Sequence, residues 1–177
     1  IYTLSLHDAL PIWHLAITSV TFRLSKRWQA RNAYAELSTE LLARGIRKPT
    51  PDDIATAVMA VRQRKLPDPA EIPNAGSFFQ NPVVGANQAA LLAAAFPSLP
   101  RYPQGDGRVK LAAGWLIEQA GWKGRSLARV AMYEKQALVL TNRGGATGAE
   151  VRALADAVRN AVLASFGVDL SPEPVFL

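Results

Sequence analysis

Residues 66 to 76 read LPDPAEIPNAG, three prolines and a glycine in close succession. Proline lacks the N–H that a helix interior or a central strand must donate. No regular element can therefore run through this stretch. It predicts a linker or an active-site loop, and with it a domain boundary that splits the chain near its first third. The 177 residues allow one domain of ordinary size or two small ones.

The pattern on either side fills in the elements. Within HLAITSVTFRL, residues 14–24, Val20, Phe22 and Leu24 alternate with Thr21 and Arg23, which predicts a half-buried strand. Ala33 to Arg44 fits a short helix stopped by Gly45. Thr50-Pro51-Asp52-Asp53 stacks a capping hydroxyl, a first-turn proline and two acids at the positive helix end. Ile54, Val58 and Val61 continue that helix to about Arg64. Ser77 to Val84 reads as extended, 86–95 as an alanine- and leucine-rich helix, and PSLPRYPQGDGR at 97–108 as a loop. Leu111 to Gln119 is a helix with Gly121 as its stop, and Ala137 to Thr141 is a strand turning at Asn142–Gly145. Thr147 and Glu150 have the capping-box spacing. Val151, Leu154, Val158, Val162 and Phe166 follow on one face before Gly167. The tail VDLSPEPVFL is extended and broken by proline. Helices and strands mix without regular alternation, so the fold class is α+β.

Composition narrows the chemistry. Apolar residues make up 49%, enough for a core, and charged residues 19%, too few for a highly charged disordered chain. No apolar run reaches the roughly 18 residues of a membrane-spanning helix. There is no cysteine, which excludes disulfides, thiolate metal sites and thiol nucleophiles and is compatible with a reducing cytoplasm. The two histidines, His7 and His14, both lie near the start, which disfavours a histidine zinc site or a Ser-His-Asp triad. The net charge of +6 raises nucleic-acid binding as one class. The basic residues are scattered from Arg23 to Arg159, with short clusters at Lys26-Arg27 and Arg62–Lys65 and no aromatic interleaved for base stacking. A solvated basic surface, or a basic pocket for an anionic small molecule, accounts for the charge as well.

One short stretch carries chemistry of its own. In NAGSFFQNP, residues 74–82, Gly76 permits a sharp turn or the close approach of a ligand. Ser77 then presents a hydroxyl at the mouth of a strand, with Phe78 and Phe79 on opposite faces where one could shield it from water. A serine so held can protonate something as basic as a carbon anion. The plainer reading of the same residues is a turn, a core strand and a surface serine.

NAGSFFQNPVV, then KLAAGWLIEQAGWKG, then QALVLTN, then a late PE before VF, occur in the order and spacing of one family. On these motifs the chain resembles the UDP-N-acetylenolpyruvoylglucosamine reductases (the MurB family). PSLPRYPQGDGR resembles the loop of the type I branch. The resemblance covers residues 14–177 and implies an NADPH-dependent FAD oxidoreductase, a UDP-N-acetylmuramate dehydrogenase. Such an enzyme reduces UDP-N-acetylglucosamine enolpyruvate in the cytoplasm for peptidoglycan synthesis, and so serves cell wall biogenesis, cell shape and division. It implies a monomer at full length, with no nucleic acid and no membrane as partners.

Residue roles follow from the same resemblance. Ser77 matches the family's proton donor, and Glu173 the glutamate of its C-terminal PE motif, which stabilises the enol-like intermediate or shares the proton transfer. Tyr34 in YAEL matches a tyrosine near the UDP group. Lys65, Asn81, Lys123 and Gln136 match positions that hold the diphosphate and sugar, and Tyr102 the tyrosine that closes over substrate. Arg62 is placed toward the flavin. The family's catalytic arginine, in a YRDS-like motif upstream of Trp28, has no counterpart, since no arginine precedes Arg23. The tail departs too, with Pro174-Val175 where the family has valine-arginine. Residues 1–13, IYTLSLHDALPIW, are read as foreign to the family, and they lack the basic start and small-residue cleavage site of a signal peptide. Residues 14–66 and 168–177 are expected to be a remnant of the FAD-binding domain, and 67–167 the substrate-binding domain. A non-catalytic module that keeps only UDP-sugar affinity is the alternative.

Overall fold

The computed structural model describes residues 18–31 and 34–176. In chain order the elements are α1 (Ala35–Ala43), α2 (Pro51–Lys65), β1 (Asn74–Ser77), β2 (Val83–Val84), α3 (Ala86–Ala95), β3 (Arg101–Pro103), β4 (Val109–Leu111), α4 (Ala113–Gln119), β5 (Ser126–Leu127), β6 (Val130–Met132), β7 (Val139–Asn142) and α5 (Gly148–Phe166). The α+β expectation holds.

The first two helices pair with each other before the proline-rich stretch. Thr50 caps α2 as its sequence predicts. The Thr50 N–H donates to the Asp53 carboxylate at 2.8 Å, and the Asp53 N–H donates to the Thr50 hydroxyl at 3.3 Å. The pair buries Leu37, Leu41 and Ala57, with Ile46 and Ile54 against them. This is a small core of its own.

After the proline-rich stretch the chain builds two antiparallel sheets. One has the order β1-β7-β6-β5, the other β2-β4-β3. Helix α5 lies on β5, β6 and α4. Between these layers sit Phe79, Leu99, Leu111, Leu116, Ile117, Met132, Leu154 and Leu170, all essentially inaccessible to water. Phe96, Trp115 and Phe166 meet in tilted and edge-to-face ring contacts 5.1 to 5.9 Å apart at one margin of this core. The capping box on α5 forms as the sequence predicts, and Gly167 ends the helix in the left-handed conformation at φ +64°. Val168 and Leu170 then return into the large core, so the extended tail is pinned rather than loose.

Four expectations are corrected. Residues 18–24 form no strand, and Val20, Phe22 and Leu24 are 63%, 78% and 83% exposed. Their alternation has no partner ladder among the described residues, and a strand without one leaves its backbone groups to water. Residues 14–17 of that stretch, and Ala33 at the start of the first helix, lie outside the described residues. The stretch from Ser77 to Val84 is not one strand: β1 belongs to the first sheet and β2 to the second, with Phe78 and Phe79 turning inward between them. The loop at 97–108 contains β3, an edge strand whose Pro103 needs no ladder donor. Leu111 closes β4 instead of opening α4, which starts at Ala113.

Candidate functional site

Ser77 is the last residue of β1, where the strand departs from regular pairing. Asn74 faces Thr141 and Ser77 faces Val139 on β7, with an irregular register between them. Gly76 sits in that irregularity at φ +73°, and a Cβ there would meet nothing within 4 Å. The constraint is therefore the backbone angle and not crowding. Asn74 sets the turn, its side-chain oxygen accepting from the Gly76 N–H at 3.0 Å and its amide donating to the Ile72 carbonyl at 2.9 Å. The sequence argument for a sharp turn at Gly76 holds, and the approach to it is open.

Beyond Ser77 the chain is clamped from both sides. The Phe78 N–H donates to the Leu138 carbonyl at 2.8 Å. Its carbonyl accepts from the Glu173 N–H at 2.8 Å, while the Gln80 N–H donates to the Ser171 carbonyl at 2.9 Å. Phe79 bridges Pro172 antiparallel. The tail thus runs as a short strand beside residues 78–80, and Glu173 lies next to the residue that follows Ser77. Glu173 itself lies at a bend just past the Phe79–Pro172 bridge. The two residues assigned to proton transfer are brought together by main-chain bonds.

The aromatic pair behaves differently from the expectation. Phe78 and Phe79 are both buried in the large core, with their rings edge to face at 5.1 Å. Phe78 also meets Phe176 at 6.3 Å. Neither covers the Ser77 hydroxyl, because Ser77 itself is exposed. The phenylalanines anchor the segment, and the serine stands at its rim.

Asn81 and Gln136 join the same neighbourhood. The Asn81 side-chain oxygen accepts from the Ala113 N–H at 2.9 Å and so satisfies an orphan donor at the start of α4. Gln136 precedes β7, two residues from the carbonyl that clamps Phe78, and a Cβ added to Gly114 on α4 would touch its side-chain oxygen at 3.4 Å. Gly114 is a residue that sequence reasoning missed. A glycine inside a short helix was the available signal, and here it leaves room for Gln136.

The remaining residues fall elsewhere. Lys123 lies past the far end of α4 and pairs with Glu118 at 2.8 Å. Tyr102 is about half exposed on β3, paired across the ladder with Lys110. Tyr34, Lys65 and Arg62 belong to the α1–α2 pair. Tyr34 precedes α1 and is exposed, and Arg62 is exposed on α2. Lys65, at the end of α2, forms an ion pair with Glu36, two residues from Tyr34. Sequence reasoning missed both acids, because neither pair has a helical i,i+3 or i,i+4 spacing. Apart from Tyr102 on β3 and Arg62 on α2, the site residues gather in three places: Ser77 with Glu173, Asn81 and Gln136; Lys123 with Glu118; and Tyr34 with Glu36 and Lys65. A separate cavity of about 430 Å³ lies at the other end of β1 and β7, lined among others by Ile72, Tyr133, Thr141 and Arg143, and holds none of them.

Known proteins agree on the family. Residues 68–177 match the family described as UDP-N-acetylenolpyruvoylglucosamine reductase, C-terminal domain. The chain is 66% identical over 169 residues to the UDP-N-acetylenolpyruvoylglucosamine reductase of Dechloromonas aromatica, covering 93% of this chain and 50% of the relative. For the proteins of the same name from Azoarcus sp. and Burkholderia multivorans the identities are 60% over 161 residues and 58% over 164, covering 91% and 92% of this chain and 46% and 47% of the relatives. The chain spans about half the length of the curated relatives it matches. It belongs to the UDP-N-acetylenolpyruvoylglucosamine reductase family.

Proposed function

We propose that this chain supplies the substrate side of an NADPH-dependent flavoenzyme that reduces UDP-N-acetylglucosamine enolpyruvate to UDP-N-acetylmuramate. The observation that carries the reading is the join at β1: Ser77 exposed at an irregular strand end, with Glu173 tied beside it through the Phe78 carbonyl. Family membership supports the reaction class, which serves peptidoglycan synthesis in the cytoplasm of a cell that builds a wall, with the full-length protein a monomer.

Ser77 donates the proton to the substrate carbon once the neighbouring carbon has been reduced. Serine is a poor acid, so the exposed hydroxyl works only when substrate covers it and excludes water. Glu173 stabilises the enol-like intermediate or shares the transfer. Asn81 and Gln136 orient the sugar, Tyr102 closes from β3, and Tyr34 meets the UDP end. Lys65 and Lys123 act as point charges for the diphosphate.

FAD and NADPH, which the family implies, would supply the hydride. A flavin dinucleotide needs a cradle for its diphosphate and a wall for its ring. Arg62, one exposed cation on α2, does not make such a cradle, so no step is assigned through the flavin here. Its binding is assigned to the part of the relatives' length that this chain does not span. In the same reading 14–66 and 168–177 belong with the flavin domain, 67–167 form the substrate domain, and 1–13 are foreign.

Calorimetric titration of UDP-N-acetylglucosamine enolpyruvate into this chain tests the reading. Weak binding is expected, and Lys65→Ala or Lys123→Ala should each weaken it by about 1–3 kcal/mol, the scale of hydrogen bonds to charged groups. Unchanged affinity in both variants would make the lysines surface residues. Because the chain spans half of its relatives, a second reading holds for the chain by itself: it binds the nucleotide sugar without reducing it. A chimera that joins residues 18–177 to the remaining half of the Dechloromonas aromatica relative separates the two. Turnover by the chimera and none by the chain is the expected result.

A further inference from the structure

Both lysines assigned to the diphosphate already hold a carboxylate. Lys65 pairs with Glu36 across α1 and α2, and Lys123 pairs with Glu118 at 2.8 Å. The first pair has a feature that the second lacks. One Glu36 oxygen takes the Lys65 ammonium, while the other, Oε2, is buried and has no hydrogen-bond partner. A buried carboxylate oxygen without a donor is a cost that the rest of the fold must carry. The side chain as a whole is 39% exposed, so a rotation about its own bonds can bring that oxygen to water.

We propose that Glu36 is an internal placeholder for the diphosphate: it holds Lys65 at the end of α2, and the incoming anion displaces it. The inference rests on the reading of Lys65 as a diphosphate contact. Three considerations set its direction. A half-exposed ion pair is weak, because water and salt compete for both partners. A diphosphate brings more negative charge and several oxygens to one ammonium, and such charge-assisted bonds are the stronger kind. Release of Glu36 also hydrates an oxygen that the resting pair leaves unbonded. The exchange therefore favours the ligand, and the carboxylate that remains nearby opposes it by repulsion. Glu36 lowers affinity while keeping the lysine ordered.

The test is calorimetric titration of UDP into the full chain, with Glu36→Gln, Lys65→Ala and the double variant. Glutamine keeps an acceptor for the ammonium and loses the charge. Glu36→Gln should tighten UDP binding about two- to fivefold, the range of an exposed ion pair. The gain should shrink as ionic strength rises and vanish in the Lys65→Ala background. In the unaltered chain, UDP should also shift the Glu36 carboxyl carbon resonance as it loses the ammonium, a readout that needs no variant to fold. Unchanged or weakened binding in Glu36→Gln, or a carboxyl resonance that ignores saturating UDP, overturns the placeholder. If Lys65→Ala leaves UDP affinity unaltered, the reading of Lys65 falls first. If the unaltered chain takes no UDP, both fall.

Discussion

Ser77 can deliver a proton only if the substrate carbon is held against its hydroxyl, since nothing in its surroundings makes serine a strong acid. In the chimera with the Dechloromonas aromatica half, Ser77→Ala should leave nucleotide-sugar affinity unchanged and slow product formation by about 10²- to 10⁴-fold, the usual contribution of a general acid. Ser77→Cys should recover part of the rate, because a thiol also donates a proton. Equal rates in the alanine variant and the parent would move the proton to another source, with Glu173 next in line. Gly76 acts one residue earlier by backbone alone. At φ +73° an added side chain meets no neighbour, yet the left-handed conformation itself costs an L-residue about 1–2 kcal/mol. Gly76→Ala should lose about that much stability in denaturant unfolding, and a neutral result would mean that the turn relaxes to negative φ. The sequence made both positions legible because glycine and serine carry their roles locally. It offered both a shielded and a surface Ser77 and did not choose between them. The direction of Phe78 and Phe79 depends on which sheet the chain enters next, and that is a long-range choice.

At the scale of elements, the starts of α2 and α5 were readable because their capping boxes are local. The Thr147 box on α5 recruits one more partner that spacing could not reveal. Arg129, on the turn between β5 and β6, donates to Glu150 at 2.9 Å. That guanidinium, followed by the Thr147 N–H, holds the Glu150 carboxyl down to about 2. A carboxyl depressed in the folded state contributes stability above its unfolded value of 4.5, and that contribution is lost as pH falls from there toward 2. Glu150→Gln should therefore flatten the fall of melting temperature between about pH 4.5 and 2, measured against the parent. An identical slope in both proteins would show that acid unfolding is governed by other groups. Strands were less readable for the opposite reason. β5 and β6 are two and three residues long and carry no alternation long enough to read. β3 hides in a proline-bearing segment and exists through its ladder to β4. Residues 18–24 show the converse case, a good alternating pattern with no partner among the described residues.

At the scale of the molecule, the proline-rich stretch separates two cores of very unequal size. The α1–α2 core gathers three buried side chains, whereas the body from Phe78 to Leu170 holds most of the chain's buried apolar residues. Helix propagation alone does not hold so short a pair, which depends on packing. Around the pair the apolar surface is open: Trp28 is 50% exposed, Leu42 66% and Met59 56%. Among the described residues, its long-range polar tie from the preceding segment is weak, with the Trp28 indole N–H donating to the Pro49 carbonyl at 3.4 Å. Local opening scales with the apolar area that must be exposed, so the two parts should open independently and at different free energies. Amide hydrogen exchange should show α2 exchanging at least about tenfold faster than the centre of α5, a gap of roughly 1.4 kcal/mol or more. UDP should narrow the gap if Lys65 takes part in binding, because a ligand that bridges the parts stabilises the weaker one by mass action. Equal protection in α2 and α5 would mean that the small core is tied into the large one more firmly than its buried residues account for. Faster exchange in α2 with no response to UDP would confine nucleotide binding to the large core, leaving Lys123, Asn81 and Gln136 as its contacts.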